Sequence, residues 1–63
     1  MTEDFHILIV DDDDELRSAL VRELAGEGYT IYEAGDGEKG LAVFRENDVD
    51  LVLLDINLPT IDG

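Results

Sequence analysis

Sixty-three residues allow one small domain at most, and a chain of this size buries only about 60% of the surface its unfolded form exposes. The absence of cysteine excludes a disulfide framework and points to a reducing compartment, and no apolar run approaches the length of a membrane span, so the expectation is a cytoplasmic protein without membrane contact. Seventeen acids against four bases give a formal charge of −13, which repels nucleic acid and anionic lipid and favours cations and basic partners.

Ile7 to Val10 is an unbroken β-branched and aliphatic run without polar alternation, the pattern of a strand buried on both faces. Asp11 to Asp14 then offers several helix N-caps, with acids near the positive end of the helix dipole. Leu16, Leu20 and Leu24 follow at intervals of four beside Ala19 and Ala25 and predict one buried helical stripe, stopped by Gly26 and Gly28. Tyr29 to Ala34 reads as a second short strand, and Gly35 to Gly37 as a turn. A shorter helix is predicted from Glu38 to Asn47, with Leu41 and Phe44 inward and Gly40 as a weak spot or a close-packing site. Asp50 to Asp55 makes the third strand. Asn57 to Gly63 is loop, punctuated by Pro59 and by Asp62-Gly63.

Strand, helix, strand, helix, strand in this order predicts an α/β domain with parallel strands joined by right-handed crossovers. If the first strand is central, the second lies on one side and the third on the other, giving strand order 2-1-3. Asp11 and Asp12 end the first strand and Asp55 ends the third. Ligands of open parallel sheets gather beyond the carboxyl ends of the strands, where the strand order reverses. Three carboxylates brought together there repel one another unless a cation intervenes. Mg²⁺ suits such a pocket, because it takes oxygen ligands, needs one or two carboxylates and keeps several waters; the backbone carbonyl of Asn57 would supply a further ligand. A metal so placed also shields a phosphoryl group, so that a rigidly held carboxylate can attack phosphorus.

The acidic cluster in "ILIVDDDDELR", "GDGEKGL" after the second strand, and "DLVLLDINLPTIDG" closely resemble the receiver domain of two-component response regulators. The last piece is the most specific, because aspartate, asparagine, proline and Asp-Gly all fall at the family spacing. The resemblance implies a flavodoxin-like doubly wound parallel sheet, with residues 1–63 forming the first half of the domain. It implies that Asp55 is the phosphoacceptor, that Asp12 ligates Mg²⁺ directly while Asp11 assists, and that Asn57 contributes its main-chain oxygen. Asp13 is not expected among the ligands, and no role is assigned to Arg17. A sensor histidine kinase or phosphotransfer protein is the implied partner. In relatives a DNA-binding output domain can follow, but this segment is not expected to touch nucleic acid. The family also uses a Ser or Thr after its fourth strand and a Lys after its fifth. Both fall beyond Gly63, so poor phosphorylation is expected of the 63-residue form. A bare third strand, Leu51 to Leu54, would invite self-association through its edge.

Other readings compete. Asp11 to Glu15 suggests an EF-hand, but Leu16 stands where that loop needs glycine and Arg22 where it needs glutamate, which excludes it. Asp11 and Asp13 have the spacing of a Mg²⁺-dependent phosphohydrolase of the haloacid dehalogenase type, although that reading leaves the Asp55 motif unexplained. A non-phosphorylated interaction module that keeps only the fold is a third possibility. His6 is assigned packing or solvent contact. Glu23, Glu27, Glu33, Glu38, Glu46 and Asp48 are read as surface acids without a further role. The protein is expected to be a phosphoacceptor and switch rather than a turnover enzyme.

Overall fold

A computed structural model describes residues 5–55, with Asp55 placed through its backbone pairing. Strand β1 (His6–Asp11) is followed by helix α1 (Asp14–Ala25), strand β2 (Thr30–Ala34), helix α2 (Gly37–Glu46) and strand β3 (Leu51–Asp55). The three strands form one parallel sheet in the order β2-β1-β3, the α/β flavodoxin-like half fold expected from the sequence. Ile7, Leu8, Ile9 and Val10 of the central strand are buried, as their unbroken apolar run requires.

Side chains alternate across a sheet, so β1 serves two layers. Leu8 and Val10 form a cluster with Ala34, backed by Tyr32, Val43 and Val49. This is the α2 face. Arg17 of α1 reaches Glu33, which is paired in register with Ile9, and this places α1 on the opposite face. Each helix packs chiefly on β1 and β2.

That placement corrects two sequence expectations. Leu41 and Phe44 are not buried: they are 51% and 48% exposed and line a groove beside Leu8 and Val10, and Gly40 is the buried residue of α2, with Val43 half-buried behind it. A Cβ on Gly40 would stand 2.8 Å from Val10 Cγ2, so glycine is what lets this helix approach the sheet. Helix α1 contains no fully buried residue. Its inward stripe runs through Arg17, Leu20, Val21 and Leu24, whereas Leu16, Ala19 and Ala25 are exposed. Four-residue spacing drifts around a helix of 3.6 residues per turn, and the arginine displaces the stripe from Leu16.

The connections follow the sequence's punctuation. Asp13 is the N-cap of α1 and Asp36 of α2. Gly28 takes a φ of 98°, which turns the chain from α1 into β2 in a backbone region open to glycine. At the start of the sheet, the Asp50 amide donates to the His6 carbonyl at 2.8 Å, and the His6 amide donates to Asp50 Oδ2 at 2.9 Å. The His6 ring packs against Tyr32, with centroids 5.8 Å apart, in the packing role assigned to it.

Beside α2, Leu8, Val10, Leu41, Phe44, Val52 and Leu54 line an apolar groove of about 210 Å³. Leu54 is 67% exposed, so the third strand is bare as anticipated.

The contact between Gly40 and Val10 reverses a familiar sign. On an exposed helix, glycine to alanine stabilises by about 1 kcal/mol. Here Gly40→Ala is expected to destabilise by about 1–3 kcal/mol, through overpacking against Val10, as read by urea denaturation. An alanine variant at least as stable as the parent would contradict the packing described.

Candidate functional site

The sheet's register determines which side chains can share a ligand. Ile7 pairs with Leu51, and the ladder then runs through Leu8–Val52, Ile9–Leu53 and Val10–Leu54 to Asp11–Asp55. The two aspartates are therefore direct neighbours on adjacent strands, about 4.8 Å apart in the hydrogen-bonding direction, at the carboxyl edge of the sheet. Strand order reverses between β1 and β3, which makes this edge the topological switch point.

Asp11 is 1% exposed, the only charged residue buried among the described residues. Its Oδ1 accepts from the Asp13 amide at 2.9 Å. Its Oδ2 is buried and has no hydrogen-bond partner among the described residues. A buried carboxylate oxygen left unpaired is costly, by about 1–3 kcal/mol or more. Asp12, the next residue, is exposed at the rim. Asn57 lies outside the described residues.

Asp13 is occupied elsewhere. Its Oδ1 accepts from the amides of Glu15 and Leu16, both at 3.1 Å, and so caps α1. An aspartate cap also suits the positive end of the helix dipole.

Two residues carry roles that the sequence did not disclose. The Arg17 guanidinium donates from Nη1 to the Asp11 carbonyl at 2.6 Å, from Nε to Glu33 at 3.0 Å and from Nη2 to Asp14 at 2.7 Å. Glu33 is thus an ion-pair partner rather than a surface acid without a role. Glu33, and then Asp14, hold the guanidinium above the ordinary arginine pKa, so it stays charged. The only advance signal was a lone cation within a long run of acids.

A larger depression of about 660 Å³ lies at the opposite end of the sheet, lined by residues that include His6, Asp48 and Asp50. It is remote in the strands from the paired aspartates and does not carry their chemistry.

Comparison with known proteins meets this geometry at the same residues. The model of the response regulator receiver domain matches residues 7–63. This chain belongs to that family. It is 44% identical over 57 residues to the transcriptional regulatory protein AfsQ1 of Streptomyces coelicolor, covering 90% of this chain and 25% of that protein. It is 41% identical over 63 residues to the transcriptional regulatory protein CseB of Streptomyces avermitilis, covering 100% of this chain and 27% of that protein. It is 43% identical over 58 residues to the aerobic respiration control protein ArcA of Escherichia coli, covering 92% of this chain and 24% of that protein. The receiver chain thus spans about a quarter of the length of these curated relatives. Among its described residues, no helix is long and apolar enough to cross a membrane.

The donor chemistry of this receiver fits a hard cation. Asp11 brings an unpartnered buried oxygen and Asp12 an exposed carboxylate, with Asp55 beside Asp11 in backbone register, although among the described residues no three potential ligand side chains are gathered into one group. If a divalent cation is what offsets the buried charge, removing that charge stabilises the metal-free protein. Asp11→Asn is expected to raise metal-free stability by about 1 kcal/mol in urea denaturation and to abolish the extra stability conferred by Mg²⁺. A variant that keeps the Mg²⁺-dependent gain would remove Asp11 from the site.

Proposed function

We propose that this receiver chain accepts a phosphoryl group on Asp55, with Mg²⁺ held by Asp11, Asp12, Asp55 and the backbone carbonyl of Asn57. The observation that carries the reading is the direct register of Asp11 with Asp55 beside the orphaned Asp11 Oδ2. When bound, the ion supplies positive charge that offsets the carboxylates and the incoming phosphoryl oxygens.

The chain's own residues do the rest. β3 holds Asp55 at the end of a rigid ladder, so little freedom is lost when its carboxylate approaches phosphorus. The donor would be a phosphohistidine on a sensor kinase or phosphotransfer protein. A carboxylate oxygen of Asp55 bonds to phosphorus, the phosphorus–nitrogen bond breaks, and the imidazole leaves with the electron pair. Water later cleaves the acyl phosphate and restores Asp55. One donor is consumed for each event, so the protein is a substrate and switch rather than a turnover catalyst.

The haloacid dehalogenase alternative requires Asp13 as an acid beside an Asp11 nucleophile. The Asp13 carboxylate instead serves two amides of α1, and this weighs against that reading. The bare β3 supports a further proposal, that residues 1–63 form the first part of a receiver whose later strand pairs with this edge. Pairing with a second copy is the competing use of the edge, and a stable folded monomer in sedimentation would count against it.

The central test is incubation with a small phosphodonor and Mg²⁺, followed by intact-mass measurement. One acid-stable, base-labile phosphate that is absent from Asp55→Asn is the expected result for a complete version of the domain, with poor yield from the 63-residue form. Equal phosphorylation of Asp55→Asn, or phosphorylation indifferent to chelation of Mg²⁺, would overturn the assignment.

A further inference from the structure

Arg17 is used by neither the nucleophile nor the metal ligands of the proposed site, yet it is the most heavily bonded side chain in the described fold. Its side chain is only 16% exposed, against 85% for Asp14 and 49% for Glu33, so the cation sits deeper than the carboxylates that hold it. It also lies close over Gly35, where a Cβ would stand 3.4 Å from Nη1. One guanidinium therefore joins the last carbonyl of β1, the first turn of α1 and the carboxyl end of β2.

We propose that Arg17 is a positioning residue for the metal site, holding the Asp11 backbone so that its unpaired Oδ2 is presented towards the ligand instead of turning to solvent. The inference rests on the reading of Asp11 as a metal ligand. The reason is geometric. The orientation of Asp11 is set at two points, its Oδ1 by the Asp13 amide and its carbonyl by Arg17. The Asp13 cap already ties this segment to α1 and the β1 ladder ties Asp11 to the sheet, so what Arg17 adds is a fixed direction for the Asp11 carbonyl. Arg17 ties it to β2 and α1 through Glu33 and Asp14, and the planar fork of arginine can serve three acceptors at once. Outer groups that orient metal ligands commonly govern affinity by 10–100-fold.

Charge alone predicts the opposite sign. A cation beside a Mg²⁺ pocket repels the ion, so its removal on Coulombic grounds would tighten binding. Positioning predicts that removal weakens it.

The experiment is a Mg²⁺ titration by calorimetry on the parent, Arg17→Ala, Arg17→Lys and Glu33→Gln, with urea denaturation and the metal-free NMR signal of the Asp13 amide followed in parallel. The expected result is at least about tenfold weaker Mg²⁺ binding for Arg17→Ala, with only partial recovery in Arg17→Lys, which keeps the charge and loses the fork. Glu33→Gln, which lies outside the metal pocket, is expected to weaken binding in the same direction and less. The Asp13 amide should shift and exchange faster in Arg17→Ala before any metal is added. If Arg17→Ala fails to fold, Arg17→Lys and Glu33→Gln decide. Affinity equal to or tighter than the parent's in these folded variants would overturn the positioning role. A parent that binds no Mg²⁺ would instead overturn the underlying site, and it would do so whatever the Asp13 amide shows.

Discussion

Parallel pairing leaves no freedom over which residues meet. Once Ile7 lies beside Leu51, each step along the ladder is dictated, and Asp11 must arrive beside Asp55. Everything proposed for this receiver depends on that register, because a slip of one residue would turn the side chains of β3 to the other face. The apolar run of β1 secures the central position, since Ile7 to Val10 can be buried on both sides only where strands flank them and helices cover both faces.

The same edge carries an internal cost. A carboxylate oxygen is buried without a donor among the described residues, while the acidic residues beside it increase the local negative charge. Proteins retain such arrangements where a ligand restores the balance, and the hard cation proposed for this site would do so without displacing the surrounding packing. Arg17 shows how the rest of the structure bears that cost. Its charge is offset by Glu33 and Asp14, while Nη1 donates a directed hydrogen bond to the Asp11 carbonyl. Several acids of this chain thus have distinct work, Asp13 and Asp36 as caps and Asp14 and Glu33 as anchors for a single guanidinium, beside the proposed ligand donors at the sheet edge.

How much of this was legible beforehand varied with the physics. Strand order and the meeting of Asp11 with Asp55 were readable, because buried parallel strands and right-handed crossovers leave few topologies. Caps were readable as a group, though only the structure selects Asp13 from its acidic neighbours. The inward faces of the helices were misjudged for a definite reason. Hydrophobic periodicity assumes that large apolar residues mark the core, and here α2 approaches the sheet through Gly40, which leaves Leu41 and Phe44 half exposed in the groove beside β3. The partnership of Arg17 with Glu33 spans 16 residues and depends on tertiary packing, which no local pattern encodes. Asn57 lies outside the described residues, so its part in the site stands on the family resemblance.

The claim that two separate strands share one ion is tested most directly by paramagnetic broadening, with Mn²⁺ added in place of Mg²⁺ to isotopically labelled protein. The account predicts that amide signals of Asp11 to Asp13 and of Leu54 and Asp55 fade together at the same low metal concentration, while Tyr29 and Asp50, at the opposite end of the sheet, persist. An Asp55→Asn variant in which the Asp11 to Asp13 signals fade at an unchanged metal concentration would show an ion held by one strand alone and would contradict it.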